Sequence, residues 1–218
     1  REITEANPGI MVEGCASGGG RFDPGVLAYM PQIWASDNSD AVSRMKIQYG
    51  LSMCYPISAI SNHVTASPNH QCGRITDLSA RADTAYFGTF GYELDITKSG
   101  PDELKMMKEQ IRFYKTIRSL VREGEFYRLQ DPFCTNYCAW QIVSRDRTKT
   151  VVYAAKILSE AHDFKGMIKL MGLDSDKKYK NDTNGLIYGG DQLMNRGIRV
   201  DYKRNDFSTE IMVFEACD

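Results

Sequence analysis

Long apolar runs are missing from this chain: nothing in its 218 residues approaches the ~20 that a membrane-spanning helix needs. An excess of either charge is missing as well. Lys and Arg number 27 against 28 Asp and Glu, for a formal net charge of −1. No basic block stands out, so neither nucleic acid nor a membrane is expected as a partner. Cysteine is scarce, with six scattered positions (Cys15, Cys54, Cys72, Cys134, Cys138 and Cys217). A disulfide scaffold would be shorter and denser in cysteine, which points to free thiols in a reducing, cytoplasmic compartment. Cys134 and Cys138 form a C-x3-C pair, but no second pair and no nearby histidine supplies the four ligands of a structural zinc site. Three motifs are also absent: the G-x-G-x-x-G register of a dinucleotide loop, the Gly-Lys-Ser/Thr of a Walker loop and the G-x-S-x-G of a serine hydrolase. No signal peptide is visible, although the chain opens on "REITEANPG" without a methionine and that absence carries no weight.

What is present is ordinary in amount and informative in order. Apolar residues make up 42% and charged residues 25%, the profile of a globular protein of one or two domains. Short apolar runs at Ile10–Val12, Ile33–Ala35, Leu51–Ile57 and Ala85–Phe90 read as strands. Between them, Ala41–Tyr49 reads as a helix with Val42, Met45 and Tyr49 on one face, and Thr76–Ala82 as a short helix opened by Thr76 and Asp77. The strongest helix follows. Pro101 suits its first turn, Asp102 and Glu103 suit its positive end, and Gly124 suits the position after its last turn. Leu104, Met107, Ile111, Tyr114, Ile117 and Val121 recur along it at three- and four-residue steps. Four strand–loop–helix repeats predict parallel βα units, of either a barrel or an open doubly wound sheet. Beyond Gly124, short strand-like segments between polar turns predict an antiparallel β-sandwich, interrupted at "YGGDQLMNRG" by a single helical turn. The boundary falls near "REGEFYRLQDPF", residues 122–133, giving domains over 1–124 and 125–218.

Three stretches carry candidate chemistry. "CASGGGRFDPG", from Cys15, places three successive glycines at the C-terminal end of the first predicted strand, where parallel α/β folds build their sites. A tight turn beside a buried cysteine explains it equally well. In "PQIWASDNSDAVSRM", Asp40 or Ser39 lies nearer the helix start and makes the better cap. Asp37 is then left as a candidate general acid, with the apolar Trp34 beside it to raise its pKa. In "YPISAISNHVTASPNHQCGR", His63 and His70 read as loop residues after a strand, the alternatives being a metal pair or a catalytic base. Neither has a carboxylate near it in sequence.

Taken together, "CASGGGRFDPG", "MPQIWASDNSDAVSRMKIQYG", "YPISAISNHVTASPNHQ" and "AYFGTFGYELDIT" closely resemble the C-terminal half of the catalytic barrel of family 36 glycoside hydrolases, the microbial α-galactosidases. The resemblance spans about residues 10–130 and continues more weakly into "MGLDSDKKY" and "YGGDQLMNRG". It implies α/β plus all-β architecture: the second half of a (β/α)8 TIM barrel, then an antiparallel β-sandwich domain. It implies retaining hydrolysis of terminal α-1,6-linked galactose, as in melibiose, raffinose and stachyose, with Asp37 as acid/base. The family's C-x-x-G-x-G-R motif matches Cys15, Gly18, Gly20 and Arg21. These residues, with Ser17 inside the motif and Trp34, are the implied substrate-binding set. The family's nucleophile lies in a Lys-Trp-Asp motif, absent here because Trp34 and Trp140 are followed by Ala and Gln. The chain therefore reads as a piece of a longer enzyme, inactive alone, and its open strand edge predicts self-pairing. No metal or organic cofactor is implied, since two carboxyl groups suffice. Family members are often homotetramers, which implies that state for a full-length parent. The alternative function is a non-catalytic carbohydrate-binding or assembly module, for which Tyr137 and Trp140 would be the aromatic platform. Trp140, in an apolar strand, reads instead as core.

Overall fold

The computed structural model describes residues 2–161 and 166–217. The chain divides into two units, Arg1–Lys108 and Glu109–Asp218. The first begins with α1 (Glu2–Ala6), β1 (Glu13–Gly14), α2 (Pro24–Leu27) and β2 (Gln32–Trp34), and continues with α3 (Ala41–Leu51) and β3 (Ile60–Thr65). It then runs through α4 (Leu78–Ala85) and β4 (Thr89–Glu93) into α5 (Pro101–Glu123), which crosses the division. The strands form one sheet in the order β1-β2-β3-β4, every pair parallel. Neighbours in sequence are thus neighbours in space, without the reversal that marks a doubly wound sheet.

The pleat sorts the side chains into two faces. Glu13 stands opposite Gln32, Trp34 opposite Ser61, and His63 opposite Gly91. Glu13, Gln32, Trp34, Ser61, His63 and Glu93 therefore share one face, and the other carries the fully buried Ile33, Ile60 and Val64. Helix α3 keeps its expected place, but its buried stripe is Ala41, Arg44, Met45, Gln48 and Tyr49, with Val42 only half-buried. A charged residue sits where the apolar pattern predicted none.

Several strand boundaries differ from expectation. Ile10 and Met11 are exposed, and the first strand is Glu13–Gly14, just past the expected run. Leu51 ends α3, and Ile57 opens a 3-10 turn, so the run Leu51–Ile57 is helix end, turn and entry. The strand follows at Ile60–Thr65, in the stretch expected to be a loop, and His63 lies on it. Asp77 stands at the N-cap of α4, which starts at Leu78. Helix α5 has the expected start and end, but Leu104 and Ile111 are exposed, and its buried set is Met107, Gln110, Ile117, Leu120 and Val121.

In the second unit, β5 (Glu125–Gln130), β6 (Tyr137–Val143), β7 (Lys149–Lys156), β8 (Met167–Ile168), β9 (Lys178–Asn181) and β10 (Ile187–Gly189) precede the short α6 (Gly190–Asn195). Strands β11 (Ile198–Arg199) and β12 (Ser208–Cys217) end it. A six-stranded sheet in the order β10-β9-β12-β7-β6-β5 and a two-stranded sheet of β11 and β8 are antiparallel throughout. Both feed one hydrophobic cluster. Ala139, Val152 and Ala154 of the larger sheet meet Ile168 and Ile198 of the smaller one, with Leu170 and Val200 beside them. Strands β5 and β9 lie outside the expected segments, and α6 fills the expected helical turn. Trp140 is fully buried, stacked on Tyr153 with ring centroids 4.6 Å apart, which removes it as a surface sugar platform. Trp140→Ala should cost about 3–5 kcal/mol, read as a lowered urea midpoint.

Candidate functional site

The glycine stretch is a loop that leaves β1 and turns back on itself. Ser17, Gly18 and Gly19 are all left-handed, with φ of 51°, 70° and 88°. Only glycine adopts this geometry without a penalty, and Ser17 carries the strain of a side chain there. The loop presses against β2's exit. A Cβ on Gly18 would lie 2.6 Å from the Asp37 amide nitrogen, and one on Gly19 would lie 2.5 Å from the Ala35 carbonyl oxygen. One on Gly20 would lie 2.7 Å from the Ala16 carbonyl oxygen, within the loop. The absence of side chains is therefore what lets backbone from β1 touch the backbone that carries Asp37. Gly19, outside the C-x-x-G-x-G-R match, is as demanding as Gly18. Phe22 stacks on Tyr55 at 4.0 Å, and the Tyr55 hydroxyl donates to the Phe22 carbonyl at 2.7 Å, pinning the loop's far end. Cys15 is exposed, not buried, and with Arg21 and Glu13 it lines a cavity of about 180 Å³.

Asp37 is exposed on a loop whose other members are held. Asp40 caps α3, accepting from the Ser43 amide and hydroxyl at 2.9 Å each and pairing with Arg74. The cap is thus Asp40, as its position suggests, and Asp37 takes no part in it. Residues at the end of β3 and in the loop after it fasten the same segment. The Gln71 amide donates to the Asp37 carbonyl at 2.9 Å, and its oxygen accepts from the Ser39 amide at 3.3 Å. The Thr65 hydroxyl donates to the Ser39 carbonyl at 2.8 Å.

The Trp34 ring, expected beside Asp37, is 8% exposed, stacks on His63 at 4.6 Å and lies 4.5 Å beneath the Arg44 guanidinium. His63 has a carboxylate after all, thirty residues on, with Nδ1 3.5 Å from Glu93 Oε2. His70 is exposed on the following loop and apart from this pair. Among the described residues no cluster of three metal-ligating side chains occurs. A second polar group occupies the same sheet face, where Glu13 accepts from Gln32 and from the Ser61 hydroxyl at 2.6 Å each.

Arg44 went unnoticed in the sequence. Its guanidinium donates to the Ser36 carbonyl at 3.3 Å, the Ser61 carbonyl at 2.7 Å and Asn62 Oδ1 at 3.0 Å. Burial lowers it to about 10, against the opposing pull of Glu93. The available signal was its spacing: four residues after the Asp40 cap and adjacent to the buried Met45, a position where arginine needs acceptors. The structure thus brings Gly18 and Gly19 onto the Ala35–Asp37 segment, keeps Gly20 packed within its own loop, sets Cys15 and Arg21 around a cavity, and buries Trp34.

Known proteins agree on what this architecture belongs to. Residues 1–124 match the Melibiase family model, and residues 137–214 match the glycosyl hydrolase family 36 C-terminal domain. The chain is 52% identical over 206 residues to alpha-galactosidase AgaA of Geobacillus stearothermophilus, covering 94% of this chain and 28% of that protein. It is 44% identical over 209 residues to alpha-galactosidase Mel36A of Lactobacillus acidophilus, covering 96% of this chain and 28% of that protein. A crystal structure of a Geobacillus stearothermophilus AgaA variant in complex with raffinose superimposes with a TM-score of 0.96 at 50% identity, over 99% of this chain and 30% of that one. The galactosidase domain of the alpha-galactosidase–sucrose kinase AgaSK superimposes with a TM-score of 0.97 at 40% identity, over 99% and 30% respectively. The chain thus spans less than a third of the length of these relatives. It is a member of the melibiase family, glycoside hydrolase family 36.

Proposed function

We propose that this chain forms the acid/base-bearing part of a retaining α-galactosidase that hydrolyses terminal α-1,6-linked galactose from melibiose- and raffinose-type oligosaccharides. The observation that carries the reading is the glycine loop lying directly on the Asp37 backbone. A loop stripped of side chains at the C-terminal end of one parallel strand, touching the backbone that bears a carboxylate at the end of the next, suits a sugar subsite beside a proton donor. Asp37 protonates the departing glycosidic oxygen as the anomeric C–O bond breaks and the nucleophile's C–O bond forms. It then takes a proton from the water that displaces the nucleophile. Retention requires that second carboxyl ~5–5.5 Å away. In this reading it belongs to a Lys-Trp-Asp segment upstream, on the half of a (β/α)8 barrel that these four sequentially ordered parallel strands would continue. Cys15, Ser17, Gly18, Gly20 and Arg21 line the galactose pocket, with the covered Trp34 as its floor. The second unit completes the architecture as a β-sandwich domain, and the full-length parent assembles as a homotetramer.

The named relatives support the substrate class: solved complexes of AgaA variants hold raffinose, 1-deoxygalactonojirimycin and stachyose. The test is release of galactose from raffinose by the natural protein that contains this sequence. Cleavage that inverts the anomeric centre, seen by proton NMR, would refute the retaining mechanism. The purified 218-residue chain, lacking a nucleophile, should release no galactose under the same conditions. Turnover by it that vanishes in Asp37→Ala would overturn the proposed division of the site.

A further inference from the structure

We propose that Arg44 is a positioning residue for the Asp37 carboxyl, locking the chain immediately ahead of Asp37 onto the end of β3. The inference rests on the acid/base reading above. The guanidinium touches that chain at two points, the Trp34 ring from 4.5 Å and the Ser36 carbonyl at 3.3 Å. Its other nitrogen holds β3 at the Ser61 carbonyl and Asn62 Oδ1. Asn62 is itself fixed, because its amide donates to the Phe87 carbonyl at 2.8 Å. One planar group therefore ties β2's exit, β3 and the approach to β4. Asp37 itself is exposed, so its aim depends on its backbone. The glycine loop limits that backbone on one side and Gln71 on another. Arg44 sets where it leaves the strand. Lysine cannot do this, since one ammonium on a flexible stem does not reproduce a planar fork reaching three acceptors.

A residue that merely supported the sheet would lower activity equally on every substrate. A residue that aims a general acid reveals itself through the leaving group, because an acidic phenol departs without protonation and a sugar does not. The experiment compares the natural protein containing this sequence with its Arg44→Lys and Arg44→Met variants, after checking folding by circular dichroism and melting. In both variants kcat/KM for raffinose should fall on the order of 10²-fold, the scale of a misplacement of about 1 Å. For 2,4-dinitrophenyl α-galactoside it should fall by less than about one tenth of that factor. The basic limb of the raffinose kcat/KM pH profile, where the general acid loses its proton, should also move in Arg44→Lys while its melting temperature stays near that of the parent. Equal losses on both substrates, or an unchanged Arg44→Lys, overturn the proposal. So does failure of both variants to fold, which would make Arg44 a folding element. If the unaltered protein cleaves neither substrate, the α-galactosidase reading itself fails, and no variant is needed to see it.

Discussion

Asp37→Ala in the natural protein is expected to lower kcat/KM for raffinose by about 10²–10⁴-fold, the usual contribution of a positioned proton donor. The loss should shrink sharply for 2,4-dinitrophenyl α-galactoside, whose leaving group needs no proton. Hydrolysis of the galactosyl–enzyme intermediate would then be slow, because no base remains to activate water. Azide needs no base. Its nitrogen attacks the anomeric carbon, the bond to the nucleophile's carboxylate breaks with its electron pair, and α-galactosyl azide leaves. Azide should therefore raise turnover of the variant on the activated substrate and leave the parent little changed. A variant with uniform losses, insensitive to azide, would remove Asp37 from the acid/base role.

The second large effect concerns Gly19. Alanine there meets two separate obstacles, a φ of 88° and a Cβ 2.5 Å from the Ala35 carbonyl oxygen. Backbone lies on both sides of that contact, so no side chain can swing clear. The left-handed conformation alone costs about 1–2 kcal/mol. Relieving the contact must displace the Ala35–Asp37 segment, and a shift of about 1 Å near the reacting atoms costs on the order of 10²-fold in rate. Gly73→Ala supplies the comparison. It has a similar φ of 70° but open space within 4 Å, so it carries the conformational penalty without the collision. Gly19→Ala should lose α-galactosidase activity far beyond Gly73→Ala and also melt lower than it, by the added collision. Equal activity in the two would show that the contact does not shape the site.

The sequence disclosed its elements unevenly, and the reasons are physical. Helix α5 was legible because Pro101, Asp102, Glu103 and Gly124 mark its ends through local backbone chemistry. Strand β3 was not. It is buried yet reads "ISNHVT", and Ser61, Asn62 and His63 are tolerable there only because Glu13, Arg44, Glu93 and the Phe87 carbonyl are brought to them from elsewhere in the chain. The apolar run before it was mistaken for the strand because periodicity cannot separate a helix end from an extended segment over seven residues. Strand β5 reads "EFYRLQ" with no strict alternation, and β9 is only the four residues "KYKN"; both owe their place to their partners in the sheet. For the site, the glycines and Asp37 stood out as residues. Their mutual contact did not, nor did the packing of Trp34 between His63 and Arg44, since both depend on neighbouring elements of the fold.

Gln71 binds only main-chain atoms of the Asp37 loop, the carbonyl of residue 37 and the amide of residue 39. Such a clamp is blind to the side chain it presents. The loop can accordingly exchange the carboxylate for an amide or a methyl group and keep its shape. On the proposed reading, such a substitution removes the proton donor and leaves the frame of the sugar subsite in place.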